Sequence, residues 1–167
     1  MPEITLRAIE PEDLELLYRI ENDMLLWNIG TTNVPYSRYV LHDYVAHSSG
    51  DIYTDRQVRL MIENEAREVV GIVDIINFDP QHLRAEVGIV IENRHRRQGY
   101  AQRALEHIAE YSLNVLHLHQ LYALVDLKNS ASLNLFSKAG YTVVARIGDW
   151  LYDGKQFHDA AMMQILL

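Results

Sequence analysis

Positive charge is concentrated in one short stretch of an otherwise acidic chain. The 167 residues carry a formal net charge of −8, yet Arg94, His95, Arg96 and Arg97 follow one another directly. They precede Gln98, Gly99 and an alanine-rich helical pattern, and the apolar run Leu83–Ile91 leads into them. A strand that enters a basic loop, with a glycine where a helix opens, has the parts of a phosphate cradle. The first N–H groups of a helix are unpaired and carry partial positive charge. A glycine keeps a Cβ out of the path of a ligand, and arginines add forked donors. The same residues also fit a solvated charge run whose glycine only makes the turn. The loop is not a Walker loop, because no Gly-Lys-Ser/Thr follows, and it has one glycine where a dinucleotide fingerprint needs three.

A second chemical group stands out within "LRAEVGIVI", where Glu86 interrupts an apolar strand. A carboxylate in such surroundings is expected to have a raised pKa and to serve as a general base, directly or through water. The structural alternative is an ion pair with a neighbouring base such as Arg84. Other clusters carry less chemistry. Among eight histidines, His117 and His119 lie two apart and no His-Glu-x-x-His occurs, so no metal site is expected. There is no cysteine, which removes disulfides, thiolate catalysis and cysteine-based zinc sites together. The acidic balance argues against general nucleic-acid binding, and Tyr36, Tyr39 and Tyr44 read as groove wall or core rather than a base-stacking platform. Trp27 is a candidate border of an acceptor site or a buried anchor, and Trp150 a candidate interface residue of a homo-oligomer.

The elements that must position these groups follow from periodicity and punctuation. The chain is expected to form one domain over 1–167, cytoplasmic, with no membrane span and no secretory signal. Glu3–Ile9 alternates as a first strand, and Pro11, Glu12 and Asp13 open a helix that runs to about Asn22. Asn28–Ser37 is turn-rich, and Tyr36–His47 reads as a second helix. Arg56–Glu63 and Val69–Phe78 form a hairpin, and Leu83–Ile91 is a strand apolar enough to be covered on both faces. Ala101, Ala104, Leu105, Ile108, Ser112 and Val115 share one face of a helix over Gly99–Leu116. Leu121–Asp126 is a short buried strand. A helix from Asn129 or Ser130 then places Leu133, Phe136 and Ser137 near one face and ends at Gly140. Two closing strands meet at Asp153-Gly154.

"RRQGYA", Arg96–Ala101, resembles the Gln/Arg-x-x-Gly-x-Gly/Ala signature of the GNAT N-acetyltransferase superfamily. "NSASLNLFSKAGY", Asn129–Tyr141, resembles the family's second block, Asn-x-x-Ala/Ser…Tyr-x-x-x-Gly-Phe/Tyr, and the order of elements matches over nearly the whole chain. Within the superfamily the sequence looks most like spermidine acetyltransferases and ribosomal-protein N-terminal acetyltransferases. The resemblance implies an α/β fold (α+β by some schemes). Its mixed, mostly antiparallel sheet has about seven strands, a splayed parallel central pair and about four flanking helices.

The resemblance also implies a site. Acetyl-CoA would lie between Glu86–Ile91 and Leu121–Asp126, with backbone groups of Ile89, Val90 and Ile91 pairing with its pantetheine arm. Main-chain N–H groups of Arg97, Gln98, Gly99, Tyr100 and Ala101, next to Arg96, would hold the pyrophosphate. Asn129 matches a coenzyme-contacting position, and Ser132 and Phe136 would face the coenzyme sulfur. Glu86 would take the proton of the attacking amine, or position it, and a backbone N–H near Ile89 would polarise the carbonyl.

The sequence departs from the family pattern in two places. Phe136 stands where the family often has a tyrosine that protonates the leaving thiolate, which leaves water, Tyr141 or Ser132 to supply that proton. "NIGTTNVPY", Asn28–Tyr36, lacks the acidic pair of spermidine acetyltransferases, leaving Asp51, Asp55 and Glu63 as possible partners for a cation. The implied activity is acetyl transfer from acetyl-CoA to a primary amine, of a polyamine or other small amine. The alternatives are a protein N-terminal acetyltransferase and a coenzyme-binding sensor or interaction module.

Overall fold

The computed structural model describes residues 1–23 and 34–167. Trp27 and most of the Asn28–Tyr36 segment therefore lie outside the described residues. In chain order the elements are β1 (Ile4–Ala8), α1 (Leu14–Glu21), α2 (Arg38–Ala46), α3 (Ile52–Asp55), β2 (Val58–Asn64), β3 (Val69–Asp79) and β4 (Arg84–Ile91). They continue with α4 (Tyr100–Asn114), β5 (Gln120–Asp126), α5 (Ser130–Lys138), β6 (Thr142–Tyr152) and β7 (Phe157–Leu166). Single 3-10 turns precede α1 and follow β4.

The seven strands form one sheet in the order β1-β2-β3-β4-β5-β7-β6. Every neighbouring pair is antiparallel except β4–β5. That parallel pair is short: Arg84, Ala85 and Glu86 register with Gln120, Leu121 and Tyr122, and the ladder stops there. From Val87 onward β4 keeps its partner β3 but not β5. The central strands thus part within the sheet.

One core lies on the face covered by α4 and α5. Val73, Ile75, Leu105, Ile108, Leu121, Phe136 and Met163 belong to it. The opposite face carries a smaller cluster in which Leu17 of α1 and Leu41 of α2 pack on Met61 and Ile72. Alternation along the strands assigns the site residues to faces. Ala85 and Val87 join the α4 side. Val90 lies opposite Ile72 and Gly88 opposite Asp74, so Glu86, Gly88 and Val90 face α1 and α2.

Several boundaries differ from the sequence expectation. The described residues contain five α-helices rather than about four, because Asp51 caps a one-turn α3 by accepting from the Tyr53 backbone N–H at 3.0 Å and from Thr54 Oγ1 at 2.7 Å. α2 starts at Arg38, with Ser37 as its cap, and buries Leu41, while Tyr39 is 77% exposed and is neither wall nor core. The α4 face holds as expected at Ala104, Leu105, Ile108 and Ser112. Val115 lies past the last helical residue and is exposed, and Leu116 takes its place in the core. β4 is not covered on both faces, since Glu86, Gly88, Ile89 and Val90 are only half-buried where the strands part.

Candidate active site

In the loop between β4 and α4 the N–H groups of His95 and Arg96 bond to the Glu92 and Asn93 carbonyls, and among the described residues those of Arg97, Gln98 and Gly99 have no backbone acceptor. Arg96 folds back so that its Nε donates to the Ile91 carbonyl at 3.0 Å, tying the loop to the end of β4. Arg94 turns to Glu92, Nε to Oε2 at 3.2 Å, and Glu92 also takes Arg19 at 3.1 Å. Among the described residues Arg97 makes no ion pair, and its side chain is exposed. Arg97 and Gly99 both have left-handed backbones, φ 59° and 88°. Left-handed residues in such a loop aim successive N–H groups into a concave nest. Gly99 caps α4 with no side chain, and the first helical bond over it is Arg103 N to Gly99 O at 3.1 Å. The N–H groups of the first turn therefore point outward from a 15-residue helix, a geometry suited to an anion.

The fold adds a further reason for glycine at 99. A Cβ there would meet Pro2 Cδ at 3.1 Å, on a backbone that L-residues rarely adopt. Its positive φ favours glycine, and a Cβ would also press on Pro2.

At the point of separation the last paired residues are Glu86 and Tyr122, side by side on the face turned toward α1 and α2. Glu86 is half-buried, and its Oε2 accepts from Asn77 Nδ2 at 2.8 Å. The alternative of an Arg84 pair is overturned, because Arg84 turns to Asp79 at 3.4 Å and, among the described residues, Glu86 has no ion-pair partner. Burial, and then the negative charge of Glu86, push the Tyr122 hydroxyl above the usual tyrosine range. Tyr122 and Asn77 escaped the sequence reading. The available signals were an asparagine breaking the apolar run "VVGIVDIINF" and a tyrosine in "LYALVD".

Beyond the split, β5 ends at Asp126, whose Oδ2 lies 2.8 Å from His158 Nδ1. The other ring nitrogen lies 2.7 Å from Asp153 Oδ2 in the β6–β7 turn. The His158 ring thus lies between two carboxylates and ties the hairpin to the end of β5. α5 begins with Asn129, whose Oδ1 accepts from the Ser132 N–H at 3.1 Å. Among the described residues the carboxamide NH2 of Asn129 has no acceptor. Phe136, one turn after Ser132, is 4% exposed and packs edge-on against Tyr141 with centroids 5.0 Å apart. The Tyr141 hydroxyl is buried and, among the described residues, has no hydrogen-bond partner; burial pushes its pKa up. An acid so weakened is a poor proton source for a thiolate whose own pKa is about 8.5.

On the α1–α2 face the residues next to the site are charged. Arg59 is held bidentate by Asp74, at 2.7 and 3.0 Å, and also pairs with Glu21. A cavity of about 700 Å³ opens beside it, lined by Asp43, Tyr44, Asp51 and Asp55 among others. Of the acids named from sequence, Asp51 is spent as a helix cap and Glu63 is taken by Arg7 at 2.6 Å. Asp55 lines the cavity. Among the described residues no three potential ligands gather closely enough to hold a metal ion, and no helix is long and apolar enough to cross a membrane.

A sheet whose one parallel pair opens in front of an uncapped helix N-terminus defines the GNAT class of acyltransferases. Residues 3–142 match the acetyltransferase (GNAT) domain family, and the chain belongs to it; it is an acetyl-CoA-dependent N-acetyltransferase. It is similar to the spermidine N(1)-acetyltransferase of Escherichia coli (strain K12), at 29% identity over 167 residues, covering 97% of this chain and 85% of the relative. The spermidine N(1)-acetyltransferase of Vibrio cholerae serotype O1 is 23% identical over 164 residues, covering 98% of this chain and 93% of the relative. Among solved structures, the spermidine N-acetyltransferase from Vibrio cholerae in complex with CoA and spermine superposes with a TM-score of 0.86. It is 25% identical, with 98% of this chain and 95% of that chain covered.

Proposed function

We propose that this protein acetylates a primary amine of a polyamine, with Glu86 as the group that positions the amine and takes its proton. One observation carries the assignment. A half-buried carboxylate with no cationic partner among the described residues stands where β4 and β5 separate, on the sheet face turned toward α1 and α2. An ammonium group is drawn to such a carboxylate, and one that no arginine neutralises keeps its charge for it.

Acetyl-CoA brings a thioester whose carbonyl an amine can attack. In the proposed arrangement the β4 edge from Ile89 to Ile91, which has no β5 partner, pairs with the pantetheine arm. The N–H groups of Arg97, Gln98, Gly99, Tyr100 and Ala101 hold the pyrophosphate, flanked by Arg96 and Arg97, and the Asn129 amide reaches the coenzyme beside Ser132. Glu86 accepts the proton of the attacking nitrogen, directly or through one water. A backbone N–H near Ile89 supports the charge that develops on the carbonyl oxygen. Phe136 packs and donates nothing, so the departing thiolate takes its proton from water. Support for a polyamine comes from the spermidine-acetylating relatives. The cytoplasm is the proposed compartment, and exposed Trp150 on β6 is the proposed contact in a homo-oligomer.

The test is thiol release from acetyl-CoA across spermidine, spermine, simple diamines and a peptide with a free N-terminus, for the parent and Glu86→Gln. The proposal expects turnover with the polyamines and a fall in kcat/KM of about 10²–10⁴-fold in Glu86→Gln, with coenzyme affinity unchanged. Preference for the peptide would favour the N-terminal acetyltransferase reading, and coenzyme binding without turnover on any amine would favour the sensor reading.

A further inference from the structure

The strand beside Glu86 is irregular at one residue. β3 and β4 pair Ile76 with Glu86, and the next pair in register is Asp79 with Arg84. Three residues on β3 thus span two on β4, so β3 carries a bulge of one extra residue. Asn77 sits in it with φ 49°, in the left-handed region.

Strict alternation predicts the opposite of what is seen at the next two positions. Ile76 lies opposite Glu86 and shares its face, so residue 77 of a regular strand would enter the α4 core and residue 78 would return to the Glu86 face. In the structure Phe78 is buried in the core, and Asn77 is exposed with its amide on Glu86. The bulge exchanges the two side chains. Asparagine is among the few non-glycine residues that tolerate such a backbone, and left-handed residues held next to a reactive group are found where a side chain must be re-aimed.

We infer that Asn77 is a positioning residue that fixes the Glu86 carboxylate for the acceptor amine. The inference rests on the reading of Glu86 given above. Nδ2 donates to Oε2 at 2.8 Å, and among the described residues Oε1 has no donor. One oxygen is therefore held and the other is left for an incoming N–H. A neutral amide orients a carboxylate without cancelling its charge, which the nearest arginine would do. Arg84 is kept out of reach by Asp79, which also caps the β3–β4 turn through the N–H groups of Gln81 and His82 at 3.0 and 2.9 Å.

The test separates the hydrogen bond from the backbone. Asn77→Gly keeps a residue at ease with positive φ and removes the amide. Asn77→Asp keeps shape and backbone tolerance but replaces the donor with a second carboxylate. With the acceptor that turns over fastest, Asn77→Gly should lower kcat about tenfold, the loss of one hydrogen bond to a charged group, with KM for acetyl-CoA unchanged. Asn77→Asp should fall further, and Asn77→His, which can donate and tolerates the same backbone, should recover part of the loss. In a Glu86→Gln background Asn77→Gly should cost nothing more. Independently of turnover, the Asn77 side-chain amide resonance, assigned by its absence in Asn77→Gly, should shift in Glu86→Gln. An unimpaired Asn77→Gly beside an impaired Glu86→Gln overturns the inference and spares the reading of Glu86. Losses that add in the double variant, or an amide resonance that does not move, overturn it as well. An unimpaired Glu86→Gln overturns both.

Discussion

Tyr141→Phe tests the core beneath the site and the proton source at once. The residue is 2% exposed, its ring is locked edge-on against Phe136, and its hydroxyl has no partner among the described residues. Burying an unpaired hydroxyl costs about 1–3 kcal/mol. Removing it deletes one oxygen and leaves a gap too small to cost much in lost packing, so the expected gain is about 1–2 kcal/mol. For a chain of this length each kcal/mol moves Tm by roughly 2–4 °C, which puts the rise at about 2–8 °C. Urea unfolding should show a higher midpoint with the same slope, and calorimetry a higher Tm. Because burial has weakened this hydroxyl as an acid, kcat should be the same in both proteins. A variant of equal or lower stability would show that the hydroxyl is satisfied in solution. A loss of kcat beyond about tenfold, more than one kcal/mol of barrier, would return Tyr141 to the reaction as a proton donor.

Three further outcomes are expected. Phe136→Tyr, which restores the family's hydroxyl next to Tyr141, should change kcat little if amine deprotonation limits the rate; a clear rise in kcat between pH 6 and 9, about the range where a thiol of pKa near 8.5 titrates, would show that thiolate protonation limits instead. Arg97→Ala should weaken acetyl-CoA binding about two- to fivefold, as for an exposed ion pair, and should reduce the thermal upshift caused by the coenzyme; Arg94→Ala, whose arginine is already paired with Glu92, should do less. Asp153 is held down to about pKa 2 by the N–H groups of Gln156 and Lys155, with His158 adding to them. A carboxylate depressed in the fold stabilises it above its unfolded pKa and loses that contribution as pH falls through the folded one. Asp153→Ala should therefore lower Tm at pH 6, and the difference from the parent should shrink from about pH 4 downward and close below about pH 2; a difference undiminished at pH 2 would exclude ionisation as its source.

Legibility differed between the parts of this chain. The basic loop after β4 and the helix α4 could be read because their signals are local: basic residues, a glycine, and a 3.6-residue apolar stripe that packs as its period says. The parallel pair could be placed only through the family likeness, since an apolar run does not state which strand it pairs with or where pairing stops. Glu86 was visible as a charge in an apolar strand, but its partner was not. Asn77 reaches it through a bulge, and a bulge breaks the two-residue period from which strand faces are read. Gly99 is legible as a loop glycine, but its positive φ and its closeness to Pro2 are not, because they are properties of the folded chain. Tyr39 read as wall or core because helical spacing groups residues on a face without saying whether that face is covered. α3 went unread because one turn is too short for any period to register, although its Asp51 cap was in plain view.

The central claim is that an acceptor amine loses its proton to Glu86 and gains the acetyl group of acetyl-CoA. The most direct measurement follows thiol release together with the mass of the amine product, with spermidine and saturating acetyl-CoA, for the parent and Glu86→Gln side by side. The account predicts stoichiometric thiol and singly acetylated spermidine from the parent. It predicts a kcat/KM lower by about 10²–10⁴-fold in a Glu86→Gln protein that is folded and binds acetyl-CoA normally. A Glu86→Gln protein that acetylates spermidine at the parent rate would contradict it.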